Sequence, residues 1–318
     1  WARVFKVRIF EFSIGMGPKL ISKKSEKTGI SYSLRALPIG GFVQMEGEDE
    51  ESDDPDALNK KPVWQRMIII SAGAVMNLLL GFIIMCLVSA TARNLGSTVV
   101  YKFADESAST RASGLMEGDR IIKVGKANVH TATDMVYEIM YSAAEPVDIT
   151  VERNGETLVL SGVNFPTITE QGHVFGDVDF YVYSVEKTFG NIVHQSWFNS
   201  ISSMKMIWTS LIDLARGKYG VSDMSGPVGV TTAVAEAASS GIHDLLYLTA
   251  IITINLGIFN LLPFPALDGG HILFLIIELI IRRPVPVKVQ SYVNLAGMAL
   301  LLALMAVVTF QDIGKLIH

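Results

Sequence analysis

The segment Asn255–His271 (NLGIFNLLPFPALDGGH) places a carboxylate, Asp268, at the end of a long uncharged apolar run. An ionised Asp at membrane depth is costly, so such a residue is normally retained for binding or catalysis. Two amides, Asn255 and Asn260, lie along the run, then Pro263 and Pro265, and Gly269 and Gly270 follow the Asp. Proline has no N–H to continue a helix and pushes the residue before it out of the α region, so the helix must break around Pro-Phe-Pro. A helix thus ends where a potential metal ligand stands. One carboxylate cannot hold a catalytic zinc, which needs three protein ligands and an open position for water. A common solution is H-E-x-x-H on a helix plus a third ligand from elsewhere. None of the six histidines (His130, His173, His194, His243, His271 and His318) begins or ends that motif. His271, two glycines beyond Asp268, reads as the opening of the next helix rather than as a ligand.

The elements that must position Asp268 are largely membrane spans. Of the 318 residues 50% are hydrophobic, with a mean hydropathy of +0.39. Three uncharged stretches, Met67–Ala92, Leu245–Leu267 and Val289–Gln311, reach the length of about 20 residues that a bilayer core requires. Cys86 is the single cysteine, so no intrachain disulfide forms. The net charge of −5 speaks against a nucleic-acid partner. The chain opens at Trp1 with no signal-peptide pattern, and its first residues, WARVFKVR, read as the charged exit of a helix already in progress. Sequence upstream of Trp1 is therefore expected.

Residues 1–66 are polar and hairpin-like. Phe10–Ile14, Leu20–Ser22 and Ser31–Leu37 have strand character, punctuated by turn signals at Gly15-Met16-Gly17-Pro18 and Pro38-Ile39-Gly40-Gly41. Their density of Lys and Arg places them in the cytoplasm by the positive-inside rule. The acidic run from Glu46 to Asp56 reads as a solvated, disordered loop. In the span 67–92, Gly73 suits close helix packing, and Asn77 either bonds a neighbour or approaches an active centre. Residues 96–182 form a soluble module. Within it Gly114 ends a helical turn, Gly118-Asp119 makes a tight turn, and Thr131–Ser142 is a helix capped near Thr131 or Thr133. Asn154-Gly155 joins two strands as a hairpin. The stretch GLMEGDRI (114–121) and this element order resemble a bacterial PDZ domain. The resemblance implies a peptide groove between His173–Phe180 and the Thr131–Ser142 helix, with Phe175 and Gly176 in a carboxylate-binding turn that takes peptide C-termini. Val185–Arg216 reads as one or two amphipathic helices at the interface, and residues 185–240 as a helical region outside. A short helix over Ile272–Ile281 leads to the basic loop Arg282–Lys288 on the cytoplasmic side. The expected organisation is a hairpin region (1–66), a span (67–92), the PDZ-like module outside (96–182), outer helices (185–240), a span with its short helix (245–281) and a last span (289–311).

Three blocks resemble the site-two protease family of intramembrane zinc metalloproteases, in its bacterial single-PDZ form. They are FSIGMGP (12–18) with LPIGGFV (37–43), SAGAVMN (71–77), and NLGIFNLLPFPALDG (255–269). The resemblance implies a polytopic α-helical membrane protein with a cytoplasmic β-hairpin region and one inserted α+β PDZ-like domain. It implies Zn2+ as cofactor and Asp268 as the third zinc ligand. Asn255, Asn260 and Pro265 would hold an unwound transmembrane substrate, such as an anti-sigma factor or a remnant signal peptide. Gly15, Met16, Gly17 and Phe42 would support that substrate by strand pairing, and the PDZ-like domain would filter substrates by size. Ala74 stands where many relatives have proline. The H-E-x-x-H helix with the catalytic residues is expected upstream of Trp1, so this chain by itself is expected to be inactive. Two other readings are a noncatalytic membrane scaffold carrying the PDZ-like module and an ion-coupled transporter. Inverted repeats, which a transporter favours, are not evident.

Overall fold

A computed structural model describes residues 1–48, 52–142, 145–170, 173–220 and 224–317. Residues 49–51 of the acidic run and His318 lie outside the described residues. The chain forms two compact units, Trp1–Asn77 with Leu256–Val307, and Leu78–Asn255 with Val308–His318. In chain order the strands are β1 (Ile9–Lys24), β2 (Ser31–Met45), β3 (Leu95–Phe103), β4 (Arg120–Val124), β5 (Ala127–Asn128), β6 (Val147–Arg153), β7 (Glu156–Val163), β8 (Thr167–Glu170), β9 (His173–Gly176) and β10 (Phe180–Val185). The helices are α1 (Val63–Thr91), α2 (Ser109–Ala112), α3 (Ala132–Ser142), α4 (Phe189–Ala215), α5 (Pro227–Ser240), α6 (Ile242–Leu261), α7 (Asp268–Ile281) and α8 (Val287–Ile317). Three of these, α1, α6 and α8, are long and apolar enough to cross a membrane.

In the first unit, strand pairing runs through both turn signals instead of stopping at them. Glu11–Ile14 pairs on one side with 41–44 (Ile14 with Gly41, Glu11 with Gln44) and on the other with Ser31–Leu34. The far end of β1 pairs with the same stretch of β2, Ile21 with Leu34 and Lys24 with Ser31. The glycines therefore mark where the ribbon turns back on itself. Gly15 has φ +84°, and a Cβ there would lie 2.6 Å from the Leu37 carbonyl oxygen. A Cβ on Gly41 would lie 2.6 Å from the Ser13 oxygen. Between these strands Glu11 is buried, accepting hydrogen bonds from Lys19 (2.7 Å), Arg35 (2.9 Å) and the Ser33 hydroxyl. The ends of the acidic run are bonded rather than loose. Arg8 meets Asp54 at 2.6 Å, and Leu58 N donates to the Glu46 oxygen at 2.7 Å. Helix α1 starts at Val63, ahead of the apolar stretch that predicts it, so its first turns carry Arg66, which is paired with Glu278 of α7.

In the second unit the sheet runs β10-β3-β4-β6-β7, with β5 on β4. Alternating residues from these strands and one face of α3 close a core that includes Ile121, Met135, Ile139, Ile149 and Val151. Asp119, fully buried, binds Arg153 through two bonds of 2.7 Å and accepts from Met116 N at 2.9 Å. The Gly118-Asp119 turn is thereby locked to β6. Asn154 and Gly155 both have positive φ, as a two-residue hairpin turn demands. Thr131 Oγ1 accepts from Asp134 N and caps α3. Phe175 and Gly176 do not form a turn. They lie in β9, paired with Ile168 and Thr167 of β8, because the alternating TITE and HVFG stretches form a hairpin of their own. Residues 189–215 form one helix, α4, whose polar face is used for packing. Ser196 bonds Ser89 and the Met85 oxygen of α1, Ser202 bonds Asp134 at 2.8 Å, and Lys205 pairs with Glu138.

Candidate functional site

The expectation of a span running to Leu267 is corrected by the structure. Helix α6 ends at Leu261, two residues before Pro263, and 262–267 pass as a turn before α7 opens at Asp268 itself. The turn contains a non-glycine residue in the left-handed region, Ala266 at φ +71°. Gly269 and Gly270 let the first turn of α7 lie against the preceding chain. A Cβ on Gly269 would stand 2.0 Å from the Leu262 oxygen, and one on Gly270 2.5 Å from the Phe264 oxygen. The Asp-Gly-Gly sequence is therefore a steric requirement of this bend. It sets the carboxylate in the first turn of a helix, where the peptide dipoles favour negative charge.

Asp268 lines a cleft of about 530 Å³. Across it stand Phe12, Ser13 and Ile14 of β1 and Gly40, Gly41, Phe42 and Val43 of β2, with Gly73 of α1 and His271 of α7 beside the carboxylate. Gly73 faces the carboxylate closely, for a Cβ there would lie in van der Waals contact with Asp268 Oδ2 at 3.9 Å. The cleft thus combines one acidic group with a strand segment.

Of the residues singled out in the sequence, Asp268 and Phe42 share this cleft. Gly15, Met16 and Gly17 lie at the bend of β1 and do not line it. Asn260 is half-buried near the end of α6, and Pro265 sits in the turn. Asn255 belongs to the other unit, where its Oδ1 is buried without a hydrogen-bond partner. Phe175 and Gly176 also belong to that unit. Two residues of α8 escaped the sequence reading. Asn294 Oδ1 accepts from Ala266 N at 3.2 Å, and its Nδ2 lies 3.4 Å from His271 Nε2. Gly297 packs directly on Pro265, for a Cβ there would be 2.5 Å from the proline Cβ. The signal was available, since an amide inside an apolar run marks a binding or packing role as it does at Asn255.

Among the described residues no group of three or more His, Cys, Asp or Glu side chains is placed to hold a metal ion. Asp268 offers one carboxylate to the cleft. The described residues therefore do not complete a catalytic zinc site, and peptide hydrolysis here needs ligands beyond those they bring together.

The sequence profile of peptidase family M50 matches residues 1–304. A candidate zinc metalloprotease of Clostridium perfringens is 35% identical over 98% of this chain and 91% of its own length. The regulator of sigma-W protease RasP of Bacillus subtilis is 29% identical over 96% of this chain and 91% of its own. The zinc metalloprotease RasP of Geobacillus kaustophilus is 30% identical over 96% and 90%. The carboxylate cleft beside a helix break accords with these matches. The chain belongs to peptidase family M50, the site-two protease family, and is an intramembrane zinc metalloprotease.

Proposed function

We propose that Asp268 is a zinc ligand of this protease and that the cleft it lines receives a transmembrane substrate segment in extended form. The observation that carries this reading is the pairing of one carboxylate with a strand segment, Gly40–Val43, across a single cleft. A membrane helix must unwind before its peptide bonds can be reached, and the freed N–H and C=O groups then need partners. An adjacent strand supplies them by adding the substrate to its edge. In this reading Phe42 packs against substrate side chains, and the bend at Gly15, Met16 and Gly17 shapes the strand. Asn260 and Pro265 hold the turn and the substrate beside it.

The hairpin unit is assigned to the cytoplasm and residues 96–182 to the outside, on the strength of the Lys and Arg of residues 1–66 and of the Arg282–Lys288 loop. The chain is then multi-pass, with α1, α6 and α8 in lipid. The outer module is read as PDZ-like. Its turn-to-strand stretch GLMEGDRI and the lie of β9 along α3 support that reading. Phe175 and Gly176 then border its groove from a strand. Substrates are membrane proteins shortened on the outside, of the anti-sigma or remnant signal-peptide class. The name of the Bacillus subtilis relative supports the first.

The test is Asp268→Asn in the complete membrane-embedded protein, with bound zinc measured alongside cleavage of a transmembrane reporter. Zinc content and cleavage are both expected to fall to background while the melting of the outer module is unchanged. Cleavage at the wild-type rate would overturn the assignment of Asp268.

A further inference from the structure

The turn that presents Asp268 is held from α8 by one side chain. Ala266 is a non-glycine residue at φ +71°, a conformation that costs free energy and persists only where the surroundings over-determine it. Its N–H is satisfied by Asn294 Oδ1 at 3.2 Å. A backbone N–H can only donate, so Oδ1 of the amide must face it, and Nδ2 must face the other way. Nδ2 can only donate, and it meets His271 Nε2 at 3.4 Å. His271 Nε2 is then the acceptor, which puts the ring proton on Nδ1. One amide thereby bridges the residue two before Asp268 and the residue three after it. One helical turn further along α8, Gly297 meets the same turn, with its missing side chain filled by Pro265.

We propose that Asn294 is a positioning residue for the protease. It fixes the 266–271 backbone so that the Asp268 carboxylate faces the cleft, and it occupies His271 Nε2 so that the ring is held along α8. This rests on the reading of Asp268 as a zinc ligand. Groups that orient a metal ligand from behind commonly alter metal affinity or activity by about 10- to 100-fold when removed. Asn294→Leu has a similar volume and makes neither bond.

In the complete protein, Asn294→Leu is expected to lower kcat about 10- to 100-fold with KM for a transmembrane substrate little changed. It is expected to release zinc to a chelator at least about tenfold faster. Amide exchange across residues 262–268 is expected to rise, because the Ala266 N–H has lost its acceptor. Gly297→Ala, which pushes on Pro265, is expected to share all three effects through a different contact. Asn294→Asp keeps the acceptor for Ala266 and is expected to restore most of the exchange protection. A folded Asn294→Leu protein with wild-type exchange at 262–268, or with wild-type kcat and zinc retention, overturns the proposal. Should Asn294→Leu not fold, Gly297→Ala and Asn294→Asp decide by the same measures. Asp268→Asn runs beside them. If it keeps its zinc, the reading of Asp268 has failed. If it loses zinc while the α8 variants keep theirs, only the positioning role has failed.

Discussion

The sheet module of residues 95–185 and the Asp268 unit are built on opposite principles. The module closes a conventional core in which Ile121, Ile139, Ile149, Val151 and Val163 are wholly buried. Among the described residues of the Asp268 unit a small cluster of Val7, Leu58 and Ile69 is buried, while Ile14, Leu20, Leu279 and Ile280 are exposed. A module in water gains stability by withdrawing apolar surface. Helices in lipid gain little that way and associate through close backbone contact and polar bonds. The Asp268 unit accordingly relies on glycines that admit carbonyls at Gly15, Gly41, Gly269 and Gly270, and on the pairs Arg66–Glu278 and Asn294–Ala266. The carboxylate cleft lies in the unit whose geometry is set by backbone fit.

Substitutions that each strike one principle test the contrast. The largest effect is expected from Asp119→Ala in the module, which leaves the Arg153 guanidinium without its buried partner. Breaking such a pair costs about 3–5 kcal/mol, so the module should melt at a much lower temperature in calorimetry. Wild-type melting would show that the pair contributes nothing to the module. Gly269→Ala strikes the other unit. A methyl 2.0 Å from the Leu262 oxygen must displace the first turn of α7. A shift of about 1 Å at a reacting group can cost about 100-fold in rate, so cleavage should fall by that order while the module's melting stays in place. Normal cleavage by this variant would refute backbone fit as the source of the geometry. Ile149→Val removes one buried methylene from the module and should cost about 0.5–1.5 kcal/mol by urea unfolding, with no change in cleavage.

What was legible in the amino-acid sequence divides along the same line. The apolar runs foretold α1, α6 and α8, and the Asn154-Gly155 hairpin and the Thr131 cap were found where local rules place them, because each depends on neighbours in the chain. The break at Pro263–Pro265 was also legible, although α6 stops earlier than the apolar run does. Residues whose role depends on distant partners were not legible. Gly15 and Gly41 read as turn signals, and the ribbon does fold back there, but their close approach to the Leu37 and Ser13 oxygens, which lets the strands continue through the bend, depends on partners distant in the chain. Phe175 and Gly176 read as a turn through the resemblance to a PDZ groove, whereas the local alternation of TITE and HVFG pairs them in a strand with β8. Asn294 lies 28 residues from Ala266, and Gly297 lies in α8 while Pro265 lies in the turn before α7, so the amide in an apolar run marks Asn294 for a polar role but nothing nearby in sequence names the partner of either residue.

The smallest expected effect concerns Glu11, the buried charge of the β1–β2 hairpin. Hydrogen bonds from Lys19 and Ser33, with Arg35 beside them, outweigh burial and hold its carboxyl well below the ordinary 4.5, at about 2. A carboxyl whose folded pKa is depressed stabilises the fold above its unfolded pKa. That contribution is complete above about pH 4.5 and drains away as the pH falls toward about 2. Lys19 is half exposed, so solvent screening makes the effect modest. Glu11→Gln keeps the shape and removes the titration. Amide exchange across β1 and β2, corrected for intrinsic rates, should show wild-type protection falling between about pH 5 and pH 2.5 while the variant starts lower and stays flat. Parallel curves for the two proteins would mean that the hairpin, like the rest of its unit, is held by backbone fit and not by the charge at its centre.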